Sequence, residues 1–326
     1  MDRLTRRLFT IGAGALIGDG VLPTRVSAQV TDTRPPTVDA ANIKEIADGV
    51  FVIGDHRVWL VPNIGIVLGS DAALVVDTGL GPANGEAVLD AVRRIAGPQR
   101  RLLVTLTHFH PEHGYGAQAF RQDATIVYNR AQRDELVEKG DKYLGLFRQK
   151  QGPAAASALE GTRLVMPHMV YDGARAEIDL GGRKAELRTY GLAHTRGDQT
   201  IYLPAERILF AGDLIEERMF PIFPYFPPVD AEVDGAHWAS VLRGFQTFGP
   251  KIVVPGHGDL GDIRIAQDLA SHIETVHSQV KALRAAGMSA ERIRAEYKPK
   301  LVSAYPDWEH PQLVDLELNY NASLPV

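Results

Sequence analysis

The chain has 326 residues, of which 45% are hydrophobic and 23% charged, a composition typical of a globular protein with one large domain or two small ones. Its formal net charge is only −5 and no run of basic residues stands out, so we expect no nucleic-acid partner. The chain contains no cysteine, which excludes disulfides and leaves histidine, aspartate and glutamate as the side chains that could bind a metal.

The first 28 residues have the pattern of a cleavable export signal. Arg6 and Arg7 precede a short apolar segment, 8–18, and residues 26–28 (VSA) form a small-residue cleavage site. Residues 5–9 (TRRLF) resemble a bacterial twin-arginine signal, which predicts a periplasmic protein that is exported already folded. The apolar segment is shorter than the ~20 residues that span a bilayer. We therefore expect no stable membrane anchor after signal removal.

Residues 29–42 are polar and contain prolines, which predicts a flexible lead-in. It precedes one expected domain, residues 43–326, that closes with helices. Apolar runs and alternation predict strands at 43–54, 58–69, 72–79, 101–110, 124–129, 169–173, 184–191, 199–213 and 251–259. Apolar residues at helical spacing predict helices at 82–97, 115–121, 130–149, 232–247, 263–287 and 290–298. Residues 150–165 are rich in alanine and glycine and are either an insertion or an exposed helix. Two blocks of strands, each closing with helices, indicate a layered α/β architecture.

The segment THFHPEHGYG, at the end of an apolar strand, concentrates side chains that bind metals. His108 and His110 are two residues apart, so both point the same way if this part of the chain is extended. Pro111 interrupts the strand, and a bend there could aim Glu112 and His113 at a neighbouring position. The segment could therefore supply ligands to two adjacent metal ions.

Three later turns each place one potential metal ligand after an apolar strand: His194 in GLAHTRGD, Asp213 in LFAGD and His257 in VVPGHGD. A single residue of this kind is more often a structural hydrogen-bonding group. Together with the histidine-rich segment, the three favour one shared metal site.

The order HxHxEH, AHTxGD, FAGD and PGHG, after an earlier VVDTG turn, resembles the metallo-β-lactamase superfamily over about residues 43–260. The resemblance implies an α/β fold, the four-layer αββα sandwich, with the metal site at one edge of the two sheets. It implies a first metal position with the ligands His108, His110 and His194. It implies a second position with the ligands Glu112, His113 and His257, and Asp213 as the bridge between the two positions.

The same resemblance implies roles for Asp77 and Glu112. Asp77, in the VVDTG turn, would accept a hydrogen bond from a ligand histidine and fix its orientation, although capping of the turn explains it equally well. Glu112 departs from the common family pattern, which has aspartate. Its extra methylene adds roughly 1.5 Å of reach, whereas zinc–oxygen bonds require about 2.0–2.2 Å. We expect two zinc ions per chain, with a one-metal site as the alternative.

The implied activity is that of a zinc-dependent hydrolase that acts on a small molecule. A hydroxide generated at the metals would attack a carbonyl-type substrate: a β-lactam, lactone, ester or thioester. Glu112 and Asp213 would be the catalytic carboxylates, with Glu112 orienting the hydroxide or moving a proton. The alternatives are an iron-dependent redox enzyme of the same fold and a non-catalytic metal-binding protein. The sequence does not indicate the oligomeric state.

The segment EERMFPIFPYFPPVD follows Asp213 closely and combines aromatic rings with prolines. Stiff segments of this kind can wall an apolar pocket. We expect Phe220, Phe223 and Tyr225 to line the substrate pocket, and packing of these rings in the core or at a dimer contact is the alternative.

Overall fold

The computed structural model describes residues 34–325. The export signal predicted at residues 1–28 and the first part of the lead-in, 29–33, lie outside the described residues. Within 34–325, none of the helices combines the length and the apolar character that a membrane crossing requires.

The first sheet lies in the N-terminal half and its strands follow one another in chain order. They are β1 (Ile43–Ala47), β2 (Val50–Ile53), β3 (Ile64–Leu68), β4 (Ala72–Val76), β5 (Arg101–Thr105), β6 (Ala124–Asn129) and β7 (Met169–Tyr171). Neighbours from β1 to β4 pair antiparallel, and those from β4 to β7 pair parallel. Parallel neighbours need crossover connections. These contain α1 (Gly81–Ala96), α2 (Pro111–Gly114), α3 (Arg130–Lys150) and α4 (Pro153–Ala158).

The second sheet has the order β12-β11-β10-β9-β8. Its strands are β8 (Arg175–Asp179), β9 (Lys184–Thr189), β10 (Gln199–Leu203), β11 (Ile208–Glu216) and β12 (Ile252–His257). Only β11 and β12 pair parallel, and the connection between them contains α5 (Gly235–Gly244). The chain ends with α6 (Ile263–Ala285), α7 (Ala290–Ala304) and α8 (Val314–Ser323).

The first sheet lies between two hydrophobic cores, and alternate side chains along its strands point into one core or the other. Ile64 and Ile66 of β3 pack on the side of α1 and α3, whereas Val67 faces the second sheet. Gly65 lets the sheets approach closely, since a Cβ there would lie 2.5 Å from the ring of Phe210. A third core joins the second sheet to α5, α6 and α8. The expected four-layer αββα sandwich is therefore confirmed.

Some element boundaries differ from the prediction. The predicted strand 58–69 begins only at Ile64, because the preceding residues form a loop in which Leu60 has a positive φ of 62°. The predicted helix 290–298 continues to Ala304. α8 has no counterpart among the predicted helices. Its buried residues include Glu317 and Asn321 as well as leucines, so its sequence lacks an apolar stripe at helical spacing.

The described part of the predicted flexible lead-in is anchored rather than free. The side-chain amide of Asn84 on α1 donates to the Pro36 carbonyl (2.7 Å), and its oxygen accepts the N–H of Val38 (2.8 Å). The Val38 side chain is buried in the core beside α1. Residues 36–38 thus belong to the folded structure, which corrects that expectation.

We predict that Asn84→Ala lowers the free energy of unfolding by about 1–3 kcal/mol, because it leaves buried backbone groups without partners. Urea denaturation followed by circular dichroism measures this change. Glu86→Ala is the matched control, since Glu86 is exposed on the same helix. Equal stability of the two variants would show that Asn84 does not anchor the segment.

Candidate metal centre

The histidine-rich segment lies in the connection between β5 and β6. His110 has an extended backbone (φ −60°, ψ 151°) and caps α2, which begins at Pro111. Proline is favoured at the first helical position because the N–H it lacks has no partner there in any case. The bend predicted at Pro111 is therefore present, and it places Glu112 and His113 on a short helix. The N–H of Thr78 donates to the His113 carbonyl (2.8 Å) and joins this helix to the end of β4.

The three later candidate ligands come from the second sheet. His194 lies between β9 and β10, and His257 is the last residue of β12. The sequence predicts Asp213 at the end of a strand. In the structure it lies within β11, which continues to Glu216. The pairing with β12 shifts register at Gly212, whose φ is 56°. A bulge of this kind redirects the next side chain, here Asp213.

The predicted ligands come together as two adjacent groups. Ligand atoms within 4.8 Å of one another define a first group of His108, His110, His194 and Asp213. The same distance defines a second group of Glu112, His113, Asp213 and His257. Asp213 belongs to both. Its Oδ1 lies 3.1 Å from His113 Nε2 and 3.6 Å from His257 Nε2, and its Oδ2 lies 3.8 Å from His108 Nε2.

The donor atoms of these groups fit a metal ion. Each of the seven residues is 5% exposed or less. Several of their side-chain atoms are buried without a hydrogen-bond partner among the described residues: Nε2 of all five histidines, Oε2 of Glu112 and both carboxylate oxygens of Asp213. One buried polar atom without a partner costs about 1–3 kcal/mol. So many in one place indicate a ligand that is itself positive, and imidazole and carboxylate groups are the ligands of zinc and related metals.

The opposite ring nitrogens of His113 and His257 are held by the protein. Nδ1 of His113 donates to Asp77 (2.9 Å), and Nδ1 of His257 donates to the carbonyl of Val61 (3.0 Å). Such a hydrogen bond fixes the ring and leaves Nε2 available as a metal ligand. Asp77 also accepts the backbone N–H of Thr107 (2.7 Å). The contact with His113 is the one expected of a residue that orients a ligand histidine, and the contact with Thr107 joins the ends of β4 and β5.

The electrostatics favour the ligand forms of His108, His110 and Asp213. Burial lowers the pKa of His108 and His110 well below the usual value, and the neighbouring histidines lower it further, which keeps both rings neutral. Burial alone would raise the pKa of Asp213, but His113 and His257 outweigh it and hold that pKa well below its usual range. Against the effect of burial, Asp213 and Asp77 raise the pKa of His113 and Asp198 raises the pKa of His194, an effect that a bound cation would oppose. Burial raises the pKa of Glu112. A bound cation would oppose that effect by favouring the ionised carboxylate.

Glu112 reaches the second group despite its departure from the family pattern. It is the second residue of α2, and its carboxylate lies within the same 4.8 Å set as Asp213 and His257. The additional methylene is therefore compatible with a second metal position at this place.

The predicted pocket wall needs a correction. Phe220 is fully buried against His272 and Trp308, and Phe223 packs on Trp238. Tyr225 packs on Tyr320. Ile222 and Phe226, from the same segment, instead line a cavity that also contacts His110 and Glu112. The turns at the prolines determine which aromatic rings face the core. The spacing of these residues in the sequence does not reveal the direction in which each ring points.

Sequence reasoning also missed a polar network on α3. The ring of Tyr143 stacks on His110, with centroids 4.9 Å apart and an interplanar angle of 23°. Its hydroxyl donates to Asp230 (2.9 Å), which also accepts from the buried Lys139 (2.9 Å). Lys139 in turn donates to Glu135 (3.2 Å), which accepts the N–H of Gly197 in the His194 loop (2.8 Å). The network thus braces both His110 and the His194 loop. The signal in the sequence that could have revealed this network is Lys139, because it is a lysine on the apolar face of the helix predicted at 130–149.

The chain is similar in sequence and in fold to known proteins. The sequence model of the metallo-β-lactamase superfamily matches residues 57–257, a range that contains all seven candidate ligands. An acyl-coenzyme A thioesterase, MBLAC2 of Gallus gallus, is 28% identical over 70% of this chain and 84% of its own. The metallo-β-lactamase type 2 of Bacteroides fragilis is 23% identical over 74% of this chain and 87% of its own.

A solved structure shows the same fold. The crystal structure of DIM-1 metallo-β-lactamase aligns with 72% of this chain and 97% of its own, with a TM-score of 0.55 and 20% sequence identity. At that identity the likeness concerns the fold alone.

We predict that Gly256→Ala weakens metal binding roughly 10–100-fold, because a Cβ there would lie 2.0 Å from Asp213 Oδ1 and displace the carboxylate. Zinc titration against a competing chelator measures the affinity. Gly145→Ala is the control, since a Cβ at that position of α3 has nothing within 4 Å. Wild-type affinity in Gly256→Ala would contradict the placement of Asp213 at the centre.

Proposed function

Because the chain belongs to the metallo-β-lactamase superfamily, we propose that it is a hydrolase that depends on two zinc ions. The observation that carries the proposal is the convergence of seven buried side chains whose inward atoms have no partner among the described residues. His108, His110 and His194 would hold one ion. Glu112, His113 and His257 would hold the other, and Asp213 would bind both.

The residues of this chain have distinct tasks in the proposed reaction. Zinc ions, when bound, lower the pKa of water and polarise a carbonyl group. Asp213 fixes the separation of the two positions, since its two oxygens face different histidines. Asp77 and Val61 fix the rings of His113 and His257. Glu112 Oε2 is buried without a hydrogen-bond partner among the described residues, and the carboxylate can also accept a hydrogen bond from the attacking water and orient it.

The substrate class follows from the ligand set and the relatives. The centre has no cysteine ligand, unlike the β-lactamase subclasses that use one. The relatives include an acyl-coenzyme A thioesterase and a metallo-β-lactamase. We propose a carbonyl substrate: an ester, thioester, lactone or β-lactam. The sequence pattern of residues 1–28 supports periplasmic export of the protein, which makes a xenobiotic or exported ester or lactam more fitting than a cytoplasmic metabolite.

We predict that zinc-loaded protein hydrolyses at least one class in a panel of β-lactams, lactones, thioesters and aryl esters. Chelation removes the activity and added zinc restores it. His110→Ala loses zinc and at least 100-fold in kcat/KM, in line with the roughly 10²–10⁴-fold that single catalytic groups contribute. His237→Ala, an exposed histidine on α5, is the control that retains both.

Two results would contradict the proposal. Activity that survives in His110→Ala would place the reaction elsewhere. Purified protein that contains iron and shows a redox signal, without hydrolysis, would favour the redox alternative.

A further inference from the structure

A mainly apolar cavity of about 50 Å³ adjoins the metal centre. His110 of the first ligand group and Glu112 of the second both contribute to its wall. Its apolar lining comes from Leu60, Phe147, Ile222, Phe226, Leu313 and Leu316. A group bound at both metal positions therefore lies directly beside this cavity.

We propose that the cavity binds the short aliphatic acyl chain of a carboxylic ester or thioester whose carbonyl lies at the metal centre. The inference rests on the proposed hydrolase function and specifies its substrate. A water-sized group needs about 10–15 Å³ when volume is measured in this way. The 50 Å³ observed therefore accommodates roughly three to five such groups, which corresponds to an acyl chain of about three to five carbons.

The other side of the centre does not suit such a chain. A cavity beside His257 has a volume of only about 10 Å³, and charged side chains form part of its lining. Among them, Arg57 pairs with Glu217 (2.5 Å) and Glu309 (3.4 Å). An aliphatic chain placed there would separate these charges from their partners, which is unfavourable.

The C-terminal segment contributes part of the apolar wall. Leu313 and Leu316 lie outside residues 57–257, the range that the superfamily model matches. Leu316 is 2% exposed and is held on α8. At the mouth, Trp59 donates to the side chain of Gln151 (3.1 Å), and both residues are partly exposed. The chain-length preference is therefore a property that the C-terminal helix gives to this protein.

The test is a series of p-nitrophenyl esters with acyl chains of two to twelve carbons, assayed with zinc-loaded protein. We expect kcat/KM to rise roughly fourfold per methylene up to about four or five carbons and then to fall. Leu316→Ala should move the optimum to longer chains by about two or three carbons. Leu318→Ala is the control, because Leu318 is fully buried on the same helix but does not line the cavity. It should lose stability without moving the optimum.

Ile222→Val provides a milder change on another wall if Leu316→Ala does not fold, and it should move the optimum in the same direction. Calorimetric binding of linear carboxylates from acetate to octanoate gives a readout that does not need turnover. Binding that depends on chain length and shifts in Leu316→Ala, without hydrolysis of any class in the panel of β-lactams, lactones, thioesters and aryl esters, would leave the cavity assignment intact and refute the hydrolase. Hydrolysis with the same chain-length profile in wild type, Leu316→Ala and Ile222→Val would refute the cavity assignment alone.

Discussion

The buried carboxylate of Asp213 is the constraint on which the rest of the centre depends. It is 1% exposed, and its two oxygens face histidines of two different ligand groups. A carboxylate buried to this degree is costly unless positive charge surrounds it. Five histidines and the carboxylate of Glu112 surround it. Bound metal cations would supply the positive charge that makes this burial favourable.

The backbone around Asp213 is shaped for this carboxylate. The pairing of β11 with β12 shifts register at Gly212, directly before Asp213, and a Cβ on Gly256 would lie only 2.0 Å from Asp213 Oδ1. From the opposite sheet, Asp77 orients His113 and holds Thr107 next to His108. The two sheets thus meet at the centre, and each supplies candidate ligands.

The candidate ligands could be predicted because metal binding restricts residue type and strand ends restrict position. HxHxEH and the later single residues carry that signal without knowledge of the packing. The cavity could not be predicted in this way. Its lining depends on which way Ile222 and Phe223 face after the prolines and on the docking of α8, whose sequence shows no amphipathic pattern. The Lys139 network was missed for a related reason, since Asp230, which accepts from both Lys139 and Tyr143, lies far from them in the chain.

The central claim is that Asp213 is shared by two metal ions. Anomalous X-ray diffraction at the zinc edge from zinc-loaded crystals tests it most directly. We expect two peaks, with Asp213 between them. One peak should lie within bonding distance of His108, His110 and His194. The other peak should lie within bonding distance of Glu112, His113 and His257. A single peak, or two peaks that do not contact Asp213, would contradict the account.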